Sequence, residues 1–332
     1  MFSPLFLSYF SGLILSLSRA AHARLTDALA DSTNRTYIAM FRLYLAFLAF
    51  NGLAPSQVMV DISLAFFECL RYNNISYSQM LNYLSAIKSV SVRFSLDISH
   101  FQHPKISLFL KAVQKSTPRL LRMTNLIHKS FLFDIVTKCR STHMGHIFKT
   151  AYLLGFFGFL RLSNLVPHSC HTFSHLKHLA KGDIFFCNSY ANILIKWSKT
   201  MQLGNQARLL KLPRLNNDIC PYSALKNCIQ LVPGGNNKPL LQINVSGKWI
   251  PLTDNRVRRH LREILGLLNK DPSFITFHSF RRSGATFAFN HNVPLQDIQR
   301  HGTWTSDAVW HYVTDSTNVG CQVADTFATQ LS

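Results

Sequence analysis

The sequence predicts a mainly α-helical chain of two domains, with one small antiparallel sheet inside the second half. Three observations carry this. Apolar residues recur at three- and four-residue spacing along most of the chain, the mark of helices with one buried face. Short β-type runs are confined to the stretch from Asp183 to Leu212. A chain of 332 residues, 47% hydrophobic and 12% aromatic, has more core-forming material than one domain usually holds.

The first 24 residues form an apolar segment. Phe2–Leu17 lacks the charged start and small-residue cleavage site of a signal peptide, and it is short for a membrane span, so it is expected to be either a helix packing on the first domain or partly disordered. Residues 25–115 read as a four-helix domain. Asp31-Ser32-Thr33 offers caps for a helix whose Tyr37, Phe41, Tyr44, Leu45 and Leu48 share a face. Asn51-Gly52 ends it, and Pro55 helps to open a second helix reaching about Arg71. A third follows Ser78, with Met80, Leu81, Leu84, Ile87, Val90 and Phe94 on one side, and Ile106–Val113 completes the set. Residues 116–124, with Ser116-Thr117-Pro118, read as a linker.

Residues 125–332 form the second domain. Helices are expected over Phe131–Arg140 and Phe148–Leu160, the latter apolar on most faces and therefore buried. Asp183–Phe186 and Asn192–Trp197 read as a hairpin, and Leu209–Leu212 as a third strand ended by Pro213. Tyr222–Leu231, Asn255–Leu268, Arg281–Asn290 and Pro294–His301 read as helices. The last residues place Val319, Val323, Phe327 and Leu331 at helical spacing, a tail suited to docking on a neighbouring protomer.

Charge narrows the function. Lys and Arg number 35 against 15 acidic residues, a formal charge of +20. The basic residues are spread through helices rather than gathered in a tail, which favours a folded face for a polyanion, and nucleic acid above all. The seven cysteines are scattered, odd in number and without CxxC spacing, which argues against a disulfide framework. His168, Cys170, His171, His175 and His178 are metal-ligand types, but their irregular spacing favours a basic loop, and no metal is expected.

The informative segment runs Phe277-His278-Ser279-Phe280-Arg281-Arg282-Ser283-Gly284. His278 and Arg281, three apart at a helix entrance, can face one site. An imidazole beside a guanidinium suits a phosphodiester: the Arg grips nonbridging oxygens and the His moves a proton. Downstream come His301-Gly302-Thr303-Trp304 and Tyr312; upstream, Gly158-Phe159-Leu160-Arg161 sets an Arg at the end of a buried helix, where it needs an anion. Trp197-Ser198-Lys199-Thr200 sets a Lys at the end of the hairpin, with Lys196 as its rival.

The order and spacing of Arg, Lys, His-x-x-Arg, Trp and Tyr resemble the tyrosine recombinase (phage integrase) family, across nearly the whole second domain. The helical first half is similar to that family's core-binding domain, notably at Ser32–Tyr37 and Tyr83–Lys88. The wording GFLRLSNLVP and RHGTWTSDAVWHYV looks most like recombinases of eukaryotic mobile elements of the DIRS/Ngaro or Crypton kinds. The resemblance implies a helical core-binding domain and an α+β catalytic domain closing as a clamp on double-stranded DNA. It implies cleavage and rejoining through a 3′-phosphotyrosine on Tyr312. Arg161 and Arg281 would hold the phosphate, Lys199 would protonate the leaving 5′-hydroxyl, and His278 would assist proton transfer. Trp304 would donate its indole N–H, with His301 as the reserve for that position. It further implies a homotetramer on paired sites, no cofactor, no membrane, and a nuclear location, or a cytoplasmic or nucleoid one outside eukaryotes. Arg35, Lys88, Lys111, Lys115, Arg119, Arg122 and Arg282 are the candidate DNA contacts.

Two departures stand out. The family often carries an acid where this chain has Asn164, expected to accept a bond from Arg161; and Trp304 stands eight residues before Tyr312 where about nine is usual. An inactive, domesticated DNA-binding derivative and a type IB topoisomerase-like activity are the alternatives.

Overall fold

The computed structural model describes residues 24–25, 28–116, 126–139, 141–197, 207–304 and 307–313. Two compact units divide the chain, residues 1–121 and 122–332. The apolar Phe2–Leu17 segment, Arg119 and Arg122, Lys199 and the 319–331 tail lie outside the described residues.

From residue 28 to 116 the first unit runs through the helices α1 (Asp31–Phe50), α2 (Val60–Tyr72), α3 (Tyr77–Arg93) and α4 (Pro104–Ser116). α1 packs on α3 and α2 on α4. Their apolar faces meet in a core of Phe41, Tyr44, Leu48, Phe66, Phe67, Met80, Ile87, Val90, Phe101, Ile106, Leu110 and Val113. Two boundaries differ from expectation. α1 takes Asp31 into its own first turn, and Ala30 stands at the N-cap without a side-chain bond; an acid there still complements the helix dipole. α3 starts before Ser78, because Ser76 and Gln79 form a capping box: the Gln79 N–H donates to Ser76 Oγ and Gln79 Oε1 accepts the Ser76 N–H. Leu81 and Phe94, expected on the inner face of α3, are exposed, Phe94 by 69%.

In the second unit, α5 (Lys129–Lys138) precedes α6 (His143–Phe157), whose first turn is capped by Thr142. α6 is buried on most faces and is the post around which the unit is built; α10 (Phe277–Asn290) and α8 (Pro221–Leu231) both pack on it. Close approach of α10 requires Gly284, where a Cβ would stand 2.0 Å from the Phe156 carbonyl oxygen. A three-stranded antiparallel sheet, β1 (Ile184–Phe186), β2 (Tyr190–Ile195) and β3 (Arg208–Pro213), lies in chain order with Ile193 paired to both Ile184 and Leu210. The remaining helices are α7 (Leu162–Leu165), α9 (Asp254–Leu267) and α11 (Leu295–His301), followed by a 3-10 turn over Asp307–His311.

The fold class is as expected, mainly α with small antiparallel sheets, but a second hairpin was missed. β4 (Gln242–Val245) and β5 (Lys248–Pro251) pair through Ser246-Gly247, both at positive φ, which is the twist a two-residue hairpin turn needs. α10 also begins at Phe277, not at Arg281, so His278 and Arg281 both sit in its first turn and a half. β2 ends at Ile195, two residues short of the Trp197 expected from the sequence.

Candidate active site

The site is built at the chain's return from α6. After Phe157 the chain turns through Phe159, whose φ of 47° is left-handed and costly for a residue with a side chain. That turn directs the Phe159 carbonyl towards α10 and lets Arg161 open α7 in extended conformation. Asn164 fixes the corner. Its Oδ1 accepts the Arg161 backbone N–H at 3.1 Å, and its Nδ2 donates to the Trp197 carbonyl at 2.8 Å. The expected bond from the Arg161 guanidinium to Asn164 is therefore not made; the amide serves the main chain and ties α7 to the end of β2. Arg161 Nη1 is buried with no partner.

Arg281 is 1% exposed, the largest fully buried side chain among the described residues. Its Nη1 donates to the Phe159 carbonyl and its Nη2 to the Gly302 carbonyl at 2.6 Å. The guanidinium lies 4.0 Å from the Trp304 ring centroid and 5.3 Å from that of Tyr312. Burial first, then repulsion from Arg161, pulls its pKa below the usual arginine value, and the neighbouring Tyr312 hydroxyl acts in the opposite sense. It stays cationic at neutral pH. Nε remains without a partner.

Tyr312 is half-buried and boxed by aromatic and cationic neighbours. Its ring sits 4.8 Å from Trp304 and 5.1 Å, edge-on, from His278. Thr286 Oγ1 donates to its carbonyl at 3.0 Å, anchoring the end of the 3-10 turn to α10. Trp304 is 6% exposed and its Nε1 has no partner. His278 keeps access to solvent at the mouth of the site. Crowding on its inner side, then repulsion from Arg281, Arg161 and Arg282, holds its pKa below the ordinary imidazole value.

Arg161, His278, Arg281, Trp304 and Tyr312 thus gather at one place. Two guanidinium groups that repel each other, with N–H groups aimed at neither protein nor solvent, make a site short of one anion. The reserve His301 is turned away. Its Nε2 bonds the Phe157 carbonyl at 2.8 Å, whereas the Trp304 ring lies against Arg281 and Tyr312. Lys196 is held 2.7 Å from the buried carboxylate of Asp183, which also accepts the Ala180 N–H. Arg282 is half-buried beside His278. In the first unit, Arg35, Lys111 and Lys115 are exposed on α1 and α4, and Lys88 is half-buried on α3. No group of three His, Cys, Asp or Glu residues able to hold a metal is present among the described residues, and no helix there is long and apolar enough to cross a membrane.

One cationic surface was missed. α9 exposes Arg258, Arg259 and Arg262 with Arg256 half-buried, while Val257, Leu261, Ile264 and Leu265 face the core. The signal was legible, an amphipathic helix with four arginines among its polar residues. The carbonyl partners of Arg281 carried no sequence signal.

Two solved structures share this architecture. The Tn1549 transposon integrase in complex with transposon right end DNA superposes with a TM-score of 0.62 at 13% identity, covering 93% of this chain and 99% of that one. The chain has the tyrosine recombinase fold. A lambda integrase dimer bound to a COC′ core site gives 0.53 at 14% identity, covering 91% and 95%. In sequence, the recombinase-fold chain is 26% identical over 174 residues to an integrase/recombinase xerD homolog from Selenomonas ruminantium. That match takes in 52% of this chain, which spans about half (48%) of the relative's length. No family model matches.

Proposed function

We propose that this chain breaks and rejoins DNA strands through a covalent bond to Tyr312. The observation that carries the reading is the set of buried, unpartnered donors, Arg161 Nη1, Arg281 Nε and Trp304 Nε1, gathered beside a tyrosine. A phosphodiester supplies the missing anion. The Tyr312 oxygen attacks phosphorus, its proton passing to His278; the new bond is tyrosyl O–P, and the broken one is P–O5′. The 5′-oxygen leaves as a hydroxyl, with Lys199 as the proposed donor. The arginines and the indole N–H neutralise the charge that grows on the nonbridging oxygens, where fixed dipoles in a dry site act most strongly. The phosphotyrosine keeps the energy of the broken ester, so rejoining to a second strand needs no nucleotide cofactor.

DNA is the proposed partner, held by α9 and by Arg35, Lys88, Lys111, Lys115, Arg119, Arg122 and Arg282, with affinity that falls steeply with salt. We further propose a homotetramer on paired sites, a mobile element of the DIRS/Ngaro or Crypton kind as the source, and the nucleus as its location. These finer readings rest on the wording of the Arg161 and Tyr312 segments.

The test uses nicked suicide duplexes tiling the DNA that flanks the protein's own gene. Wild type should form a covalent adduct, and Tyr312→Phe should bind equally and form none. Binding by wild type with no adduct on any duplex would leave a DNA-binding derivative. Relaxation of a single supercoiled duplex without junction products from two-site substrates would favour a topoisomerase-like activity.

A further inference from the structure

His301 is fully accounted for by neither DNA contact nor proton transfer. Phe157 ends α6, and its carbonyl is one of those a helix C-terminus leaves without an intrahelical donor. The donor it receives is His301 Nε2, from a residue 144 positions along the chain, at 2.8 Å. A carbonyl can only accept, so Nε2 carries the proton. The imidazole also meets the Phe159 ring edge-on at 4.6 Å.

Two residues after Phe157, the Phe159 carbonyl takes Arg281 Nη1; one residue after His301, the Gly302 carbonyl takes Arg281 Nη2. The five residues close a ring: Phe157 to His301, on to Gly302, across to Arg281, and back through Phe159. A cavity of about 580 Å³ opens beside the end of α11, bordered by Phe159, Leu210, Arg300, His301 and Gly302. The end of α11 is held by its own main chain, Gly302 N–H to the Ile298 carbonyl and Trp304 N–H to that of Gln299, and the His301 bond is the contact that ties this end, with the Gly302 carbonyl, to the end of α6.

We infer that His301 is a positioning residue that sets the Arg281 guanidinium for its anion, by fixing the Gly302 carbonyl relative to that of Phe159. It acts through Arg281 and touches no reacting atom. The inference rests on the reading of Arg161, Arg281 and Trp304 as an anion site, and it extends that reading to the geometry of the grip.

The test titrates the full chain with inorganic phosphate and reads tryptophan fluorescence, with Trp304→Phe identifying the indole that responds. All variants are compared at a temperature where circular dichroism shows them folded. Losing one buried hydrogen bond that aligns a charged donor should weaken phosphate binding about tenfold in His301→Leu. The rate of adduct formation should fall with it at unchanged DNA affinity. His301→Gln, whose side-chain amide can still donate to Phe157, should stay within about threefold of wild type. Should His301→Leu fail to fold, His301→Asn, too short to reach that carbonyl, replaces it against His301→Gln. Wild-type phosphate affinity in the variant lacking the donor, or an equal loss in His301→Gln, overturns the inference. So does a wild type whose Trp304 does not respond to phosphate. If phosphate binding follows the expected order but no adduct ever forms, the positioning role stands and the strand-exchange reading falls.

Discussion

Gly302→Ala puts a methyl group where Trp304 already lies. A Cβ built on Gly302 would stand 1.7 Å from the indole Cζ3 and 2.2 Å from Cε3, far inside van der Waals contact. The backbone is no obstacle, since Gly302 has φ −83° and ψ 0°, which alanine adopts freely. Backbone entropy alone would make the substitution stabilising by about 0.4–1 kcal/mol. Against that, overpacking a filled site costs about 1–3 kcal/mol. Sliding the indole off Arg281, now 4.0 Å away, forfeits a desolvated cation–π contact worth about 2 kcal/mol. The net is a loss of about 2–4 kcal/mol, and Tm should fall by at least about 4 °C in a unit of this size. The assay is thermal unfolding followed by near-ultraviolet circular dichroism, which reads the indole's surroundings, alongside adduct formation on suicide duplexes. The expected result is a lower melt, a changed tryptophan band and cleavage reduced at least tenfold, while DNA affinity holds. A variant as stable as wild type with an unchanged tryptophan band would refute the placement of Trp304 against Gly302, and with it the stack on Arg281.

Two further outcomes follow from named contacts. Asn164→Asp should destabilise more than its similar shape suggests, because a carboxylate replaces the donor 2.8 Å from the Trp197 carbonyl, facing oxygen to oxygen; a loss of about 1–3 kcal/mol in denaturant unfolding is expected, and unaltered stability would count against the tie between α7 and β2. His260, stacked on Phe148 at 3.7 Å and bonded to the Tyr152 hydroxyl, has its pKa pushed down to about 4 by burial. A histidine favoured neutral in the fold contributes stability that is complete above its unfolded pKa and is lost as pH falls from about 6.5 towards 4. His260→Phe should flatten that part of the stability profile, and an unchanged slope on acidification would show that another group titrates there.

Much of the site was legible because its chemistry is carried by side chains at fixed spacing. His278, Arg281, Trp304 and Tyr312 were readable as a set, and the three-residue step from His278 to Arg281 sufficed to place both on one face of α10. The bond from His301 to the end of α6 was not readable, since it depends on the path of the chain and not on residue type. Asn164 shows the same limit. Its residue type allows a bond to Arg161, and only the path of the chain decides that the bond goes to the main chain. The second hairpin could have been read from Ser246-Gly247 between Ile243 and Ile250, but its strands are short and lack clean alternation. Phe94 stands at the C-cap of α3 with its ring stacked on Phe41, so it covers the edge of the core from outside and stays largely exposed.

Arg281 is gripped by carbonyl oxygens of Phe159 and Gly302, and every residue type owns a carbonyl. The grip therefore depends on the course of the main chain, and the side chain at position 159 enters it through the packing of its ring on His301 and Trp304. An arrangement of this kind fixes the position of a cation by the path of the chain and needs no acidic partner beside it.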